Sequence, residues 1–275
     1  MTPFRRPTNR GLLCLVSGLA LLALAACGSN EEEFPETPAE ELYYNAFVTM
    51  QDDKLATAAK MFEEVERQHP YSRWATQAQL MAAYSYYLDA KYDDALIALD
   101  RFIELHPGHR SAPYAYYLRA LCYYEQIVDV GRDQENTELA LQSLAEVVAR
   151  FPNTDYARDA ALKIDLAQDH LAGKEMAVGR YYQFQGQFLA AINRYKRVID
   201  RYQTTTHVPE ALHRLVESYL ALGVFEEAQQ TAAVLGYNFP GSDWYQDSYA
   251  LLVERDLKPI EPVDPSGGIF SDGLF

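Results

Sequence analysis

One recurrence constrains the fold of this 275-residue chain more than any other feature. Pro70, Pro107, Pro152 and Pro240 each follow a His or a Phe, and each stands twelve residues after an alanine: Ala58, Ala95, Ala140 and Ala228. Ala191 fits the same place in a further unit that ends near Gln203. Twelve residues before four of these alanines comes a second compact residue, Ala46, Ala83, Gly179 or Val216, followed three residues later by Thr49, Tyr86, Tyr182 or Tyr219. The third unit carries its pair as Ala120 and Tyr123, with eight extra residues before Ala140. From Ala39 to about Glu254 the apolar residues keep helical spacing, and no stretch shows the alternation of a strand. Helices approach closely only where small residues sit at the crossing, and a large side chain one turn on fills the adjoining gap. The small-then-large order therefore predicts a series of packed helix pairs, each closed by a helix-ending proline.

With a bulky residue four positions after the alanine (Phe62, Leu99, Leu144, Tyr195), the unit resembles the tetratricopeptide repeat. Alanine-to-alanine spacings of 37, 45, 51 and 37 compare with roughly 34 residues in that family, leaving room for insertions. The resemblance implies an all-α tetratricopeptide-repeat α-solenoid. About five antiparallel helix pairs would wind into a right-handed superhelix, with the first helix of each pair on the concave wall. The extra length before Ala191 suffices for one further helix, Tyr156 to Ala172.

The N-terminus reads as an export signal. Arg5, Arg6 and Arg10 precede a nearly uncharged run from Gly11 to Ala26, too short for a span of about 20 apolar residues. The run ends in Leu24-Ala25-Ala26-Cys27-Gly28, which resembles a bacterial lipobox. That resemblance implies cleavage before Cys27, lipidation of its sulfur, and, with no Asp next to the cysteine, the outer membrane as destination. Two or three acyl chains anchor a protein stably, each buried methylene contributing about 0.8 kcal/mol. The expected organisation is a signal peptide over 1–26, a tether over 27–38, repeats one to three over 39–153, further repeats with the extra helix over 154–255, and a disordered tail over 256–275. The tether holds Glu31, Glu32, Glu33, Pro35 and Pro38; the tail holds Pro259, Pro262, Pro265 and three glycines.

Without the three leader arginines, 21 basic residues face 39 acidic ones, a formal charge of −18. Such a body is repelled by nucleic acid and by anionic headgroups, so membrane contact falls to the lipid and partners are expected to be proteins. Cys14 lies in the removed segment and Cys27 takes lipid, which leaves Cys122 without a disulfide partner; on its apolar helix it reads as a small core residue. His106 and His109 straddle a Pro-Gly helix end and offer no metal geometry. No phosphate loop, nucleophile elbow or Cys/His pair is present, so no catalytic residue, metal or cofactor is expected.

Two sets of side chains remain as candidates. Counting repeats from Ala39, Thr76 and Pro113, the groove-facing positions hold Tyr43 and Phe47, Tyr84 and Tyr87, then Tyr114, Tyr117 and Tyr124. Among 21 tyrosines, these either line a peptide groove, through ring faces and hydroxyls, or pack one repeat on the next. Arg194, Arg197 and Arg201 form a stripe at i, i+3 and i+7, which is either a docking patch for carboxylates or a solvated face.

The lipobox, the acidic tether, the five repeats and the phrases Asp100-Arg101-Phe102-Ile103-Glu104-Leu105-His106-Pro107, Arg150-Phe151-Pro152-Asn153-Thr154-Asp155-Tyr156 and Ala191-Ile192-Asn193-Arg194 together resemble the BamD (YfiO/ComL) family, over roughly Glu41 to Leu235. The resemblance implies a non-enzymatic scaffold lipoprotein of the outer-membrane β-barrel assembly (BAM) complex, on the periplasmic face. N-terminal repeats would meet unfolded barrel precursors or other Bam lipoproteins, and C-terminal repeats a POTRA domain of the insertase BamA. Arg194 matches the family's Asn-Arg in the docking helix. The long Pro/Gly-rich tail departs from shorter members. Another periplasmic repeat lipoprotein, such as a secretin pilotin or a cell-division coordinator, is the alternative.

Overall fold

The computed structural model describes residues 37–258. The signal peptide, Cys27, most of the tether and the tail from Pro259 lie outside the described residues. Those described form eleven helices and no strand: α1 (Ala39–Gln51), α2 (Leu55–Gln68), α3 (Arg73–Leu88), α4 (Tyr92–Leu105), α5 (Ala112–Tyr124), α6 (Glu135–Arg150), α7 (Asp155–Phe184), α8 (Phe188–Arg201), α9 (Val208–Leu222), α10 (Phe225–Asn238) and α11 (Asp243–Val253). No helix among them is long and apolar enough to cross a membrane.

In four of the five repeats the two helices are joined by only two or three residues, at 52–54, 89–91, 185–187 and 223–224. So short a link between helices packed side by side forces them antiparallel. Each link turns through one residue of positive φ, Asp53 (61°), Ala90 (54°), Gly186 (71°) and Gly223 (78°), always five positions before the repeat's alanine. A left-handed residue at the end of a helix lets the chain reverse at once. Beyond its partner, each first helix of the N-terminal half also touches the first helix of the next repeat: α1 meets α3, α3 meets α5, and α5 meets α7. The result is a tetratricopeptide-repeat α-solenoid, in which each helix packs chiefly on its sequence neighbours.

The recurring alanines sit where the helices cross. Ala46, Ala58, Ala83, Ala95, Ala120, Ala140, Ala191 and Ala228 are all fully buried, as are the bulky partners Phe62, Leu99, Leu144 and Tyr195. Gly179 takes the alanine's place in the fourth repeat, where a Cβ would lie 2.5 Å from Cε1 of the Tyr195 ring. Three apolar cores follow one another along the stack. The first is centred on Phe62 and Val65, the second on Leu99, Phe102, Leu118 and Leu144, and the third on Tyr195, Val198, Leu212 and Leu215. Helix α11 closes the last core with Leu252, Trp244 and Tyr245.

One expectation needs correction. The extra helix foreseen from Tyr156 to Ala172 does not stop there; it runs without a break through the first helix of the fourth repeat, 30 residues in all. Gly173, the residue just past that expected end, is a point of close approach, where a Cβ would lie 3.3 Å from His207 Nε2 and 3.5 Å from Val130 Cγ1. A helical glycine costs only about 1 kcal/mol, too little to end a helix flanked by Ala and Lys. The eight-residue insertion of the third repeat forms the α5–α6 loop. It is latched to α7, with His170 Nε2 2.7 Å from the Val128 carbonyl oxygen and Lys174 Nζ donating to the Arg132 carbonyl at 3.1 Å.

Candidate functional site

The aromatic positions fall on the first helices α1, α3 and α5, and they do not behave alike. Tyr43 lies 5.4 Å from the Phe62 ring and 5.0 Å from Trp74, in the first core, and burial raises its hydroxyl's pKa against a lowering hydrogen bond with Gln77. Phe47 packs half-buried against the same core. These two therefore tie α1 to α2 and α3.

Tyr84, Tyr114 and Tyr117 form a continuous strip across three helices with Tyr156, whereas the Tyr87 ring packs on Tyr92 of α4 at 6.0 Å. Tyr84 on α3 is 6.4 Å from Tyr114 on α5, and Tyr114 and Tyr117 approach Tyr156 on α7 at 5.6 and 5.4 Å. Offset and tilted ring pairs at these separations add about 0.5–1.5 kcal/mol each beyond area burial. The strip is polar along its edge. Tyr117 donates its hydroxyl to Asp159 Oδ2, Asp159 also pairs with Lys163 at 3.2 Å, and Lys163 Nζ lies 5.3 Å from the Tyr124 ring centre. That hydrogen bond from Tyr117 is the main reason the Asp159 carboxyl is held below its ordinary pKa. Tyr87 donates to Glu125 at 3.4 Å; burial first, then the Glu125 charge, push its pKa up to about 12. Burial raises Tyr43, Tyr87, Tyr114 and Tyr117 alike, and of these Tyr87 and Tyr117 place their donor hydroxyls on carboxylates, Glu125 and Asp159.

Tyr156 was missed from sequence, and so was Trp74. Both share a signal with Trp244: each stands two residues after a capping hydroxyl. Ser72 Oγ accepts from the Ala75 amide at 3.1 Å, Thr154 Oγ1 from Ala157 at 3.2 Å, and Ser242 Oγ from Trp244 at 3.2 Å. A cap fixes the first turn of the helix, and in these three helices the aromatic at that offset lands on the preceding repeat, Trp74 on Tyr43, Tyr156 on Tyr114 and Trp244 on His213.

The basic stripe lies on α8, and two of its three members are already engaged. Arg194 Nη1 donates to Glu175 Oε2 at 3.1 Å and Arg197 Nη1 to Glu175 Oε1 at 2.7 Å. Glu175 is only 13% exposed, so the clamp fastens α8 to α7 and leaves the group a net charge of +1 before Arg201 is counted. Arg201 stands exposed at the end of the helix. A second network meets α8 through Tyr195, whose hydroxyl donates to Gln183 at 2.7 Å; in it Glu217 accepts from Arg214 (2.8 Å) and Gln183 (2.9 Å), and Glu210 accepts two bonds from Arg180 at 3.0 Å.

Cys122 is fully buried, and burial pushes its thiol up to about 12, which makes it a packing residue without nucleophilic character at neutral pH. His106 Nε2 lies 3.0 Å from Gln79 Oε1, His109 Nδ1 accepts from the Ser111 amide at 3.1 Å, and both imidazoles pack on the Phe102 ring and on each other. Both histidines serve the turn.

The YfiO family, described as "Outer membrane lipoprotein", matches residues 35–235 of this chain. Among similar proteins is the outer membrane protein assembly factor BamD of Caulobacter vibrioides, 50% identical over 260 residues that cover 93% of this chain and 85% of the relative. The protein of the same name from Rickettsia prowazekii is 46% identical over 241 residues, covering 86% and 96%. That of Neisseria gonorrhoeae is 38% identical over 244 residues, covering 84% and 91%.

Proposed function

The chain belongs to the YfiO family of outer membrane lipoproteins, and on that premise we propose that it is a non-enzymatic scaffold of the outer-membrane β-barrel assembly complex. Lipid on Cys27 anchors it to the periplasmic face. Its N-terminal repeats hold unfolded barrel precursors or other Bam lipoproteins, and its C-terminal repeats dock on a POTRA domain of the insertase BamA. The observation that carries the reading is the strip of half-buried tyrosines from Tyr84 to Tyr156, edged by Asp159, Lys163 and Glu125. Rings offer broad, sequence-tolerant contact, and neutral hydroxyls beside carboxylates can exchange hydrogen bonds with an extended backbone. A polypeptide that has to be released again needs many weak contacts of this kind.

Docking through α8 rests on Arg194, Arg197 and Arg201. Because Arg194 and Arg197 are clamped on Glu175, they would meet a partner carboxylate as a rigid, partly neutralised fork. Calorimetric titration of the insertase's periplasmic domains into the full chain in detergent tests this. Arg194→Glu is expected to weaken binding by about tenfold or more, and unchanged affinity removes that residue from the contact. Glu175→Gln is the control: it loosens the clamp but keeps the arginines. A loss as large as that from Arg194→Glu would mean that Arg194 acts only by holding α8 to α7. Site-specific photo-crosslinking from Tyr124 to an unfolded barrel precursor tests the strip.

A further inference from the structure

Among the described residues, five adopt positive φ. Four are the links within repeats, and the fifth, Asp256 (56°), follows α11. All five turns carry the same two backbone bonds: the left-handed residue's amide donates to the carbonyl three before it, and the next amide to the carbonyl five before that residue. At Ala90 these run to Tyr87 (3.0 Å) and from Lys91 to Tyr86 (2.9 Å); at Asp256 they run to Val253 (3.0 Å) and from Leu257 to Leu252 (2.9 Å). Second helices end otherwise, on residues with φ between −134° and −128°. The turn after α11 is therefore of the kind that leads from a first helix into a second. It is also pinned: Arg255 Nη1 donates to the Leu220 carbonyl at 2.9 Å, Leu257 packs on the last core, and Gln229 Nε2 of α10 donates to the Lys258 carbonyl at 2.6 Å. The chain thus leaves α11 heading back along it, beside α10.

A second helix cannot take that place. Tyr249 stands seven residues before Asp256, where Ala46, Ala83, Gly179 and Val216 stand seven before their own left-handed residues. Those four are buried at helix crossings, whereas Tyr249 is 44% exposed and Val253, one turn on, 51%. A ring at the crossing holds a facing helix away. Glu261 falls where the repeat alanine should be, five residues after Asp256, and Pro262 and Pro265 would break any helix begun at Lys258.

The sequence beyond Lys258, outside the described residues, reads Pro259-Ile260-Glu261-Pro262-Val263-Asp264-Pro265. Proline at every third position fixes its own φ and drives the residue before it to extended backbone, which together favour a polyproline II helix. Three residues per turn put the prolines on one edge, Ile260 and Val263 on the next, and Glu261 and Asp264 on the third. Seven residues at about 3.1 Å each span about 20 Å, enough to run the length of α11, about 16 Å.

We propose that residues 259–265 fold back as a polyproline strap over the exposed face of α11, seating their proline and Ile260/Val263 edges on Tyr249 and Val253 and leaving the two acids in water. Aromatic surfaces take such chains at low ordering cost, and the Tyr245 and Tyr249 rings, 6.2 Å apart, offer one. The strap closes the last face of the stack, which in a solenoid otherwise invites another copy. It concerns α11 alone and does not rest on the role of the tyrosine strip or of α8.

The test uses the full chain in detergent with 3-fluorotyrosine at position 249, and in a second sample at position 71. A soluble neutral gadolinium chelate broadens each fluorine signal according to its exposure. Left uncovered, the ring at 249 should be broadened a little under half as strongly as that at 71, in proportion to exposures of 44% and 102%. Under the strap it is expected to lose most of that broadening, and to do so equally at every protein concentration. Ile260→Ser with Val263→Ser, and separately Pro262→Gly with Pro265→Gly, are expected to restore it; both leave α11 and the last core untouched. Broadening in the parent near half that at position 71, equal broadening in parent and variants, or protection that fades on dilution, as cover by a second copy would, overturns the proposal.

Discussion

Gly179→Ala puts the role of the small crossing residues to a quantitative test. Two effects oppose each other. In the interior of a helix, alanine is favoured over glycine by about 1 kcal/mol, so propensity alone would make the variant more stable. Against that, the new methyl would lie 2.5 Å from Tyr195 Cε1 and 2.9 Å from both Cδ1 and Cζ, where ordinary carbon contacts begin near 3.4 Å. The ring has no room to swing away: Tyr195 is fully buried on α8, and its hydroxyl is held by Gln183 at 2.7 Å. Overpacking of this kind costs about 1–3 kcal/mol, and the rigid, hydrogen-bonded ring places the cost at the upper end. The expected net effect is destabilisation by about 1–2 kcal/mol. Urea unfolding followed by far-ultraviolet circular dichroism measures it, with tyrosine fluorescence as a second probe because a repeat protein need not unfold in one step. Gly108→Ala is the control, since nothing lies within 4 Å of a Cβ there. A Gly179→Ala variant more stable than the parent by the full propensity difference would show that α7 and α8 are not held at the closest approach the structure describes.

Ala90 holds a left-handed conformation (φ 54°) where the fourth and fifth repeats use Gly186 and Gly223. Ala90→Gly is therefore expected to stabilise the protein by about 0.5–1 kcal/mol, measured as a rise in melting temperature; a fall would place the turn elsewhere. Burial pushes the Glu217 carboxyl up, but hydrogen bonds from His213, Arg214 and Gln183 together outweigh it and hold the group at about 2 against an ordinary 4.5. A depressed carboxylate pKa contributes stability that is complete above about pH 4.5 and is lost as pH falls towards 2. By linkage this amounts to roughly 3 kcal/mol, and about half of that after allowing for the solvent that reaches the side chain. Thermal unfolding of Glu217→Gln against pH should show a flatter loss through that window, and parallel curves would count against the network.

Much of the fold was legible because repeats write the same packing rule several times over. Four of the five repeat alanines stand twelve residues before a helix-ending proline and four stand four residues before a bulky side chain, and the structure buries all five. The continuous α7 was not legible, because Gly173 has the same one-letter signature whether it ends a helix or lets His207 approach. The pairing of Arg194 and Arg197 with Glu175 escaped for a different reason. Helical spacing reveals which residues share a face, but the carboxylate opposite is 19 and 22 residues away, on a neighbouring helix whose rotation periodicity does not specify. For the aromatic positions, repeat counting found the helices but not each ring's neighbour. Tyr43 and Phe47 turned out to pack the first core, while Tyr84, Tyr114 and Tyr117 joined a strip completed by Tyr156.

The central proposal, a lipid-anchored scaffold joined to the barrel insertase, is most directly tested by extracting cells in mild detergent, purifying the full chain and identifying what remains bound. The expected companion is the BamA insertase, retained by the parent and lost or reduced with Arg194→Glu. Recovery of a secretin or of division proteins in its place, with no insertase, would contradict it.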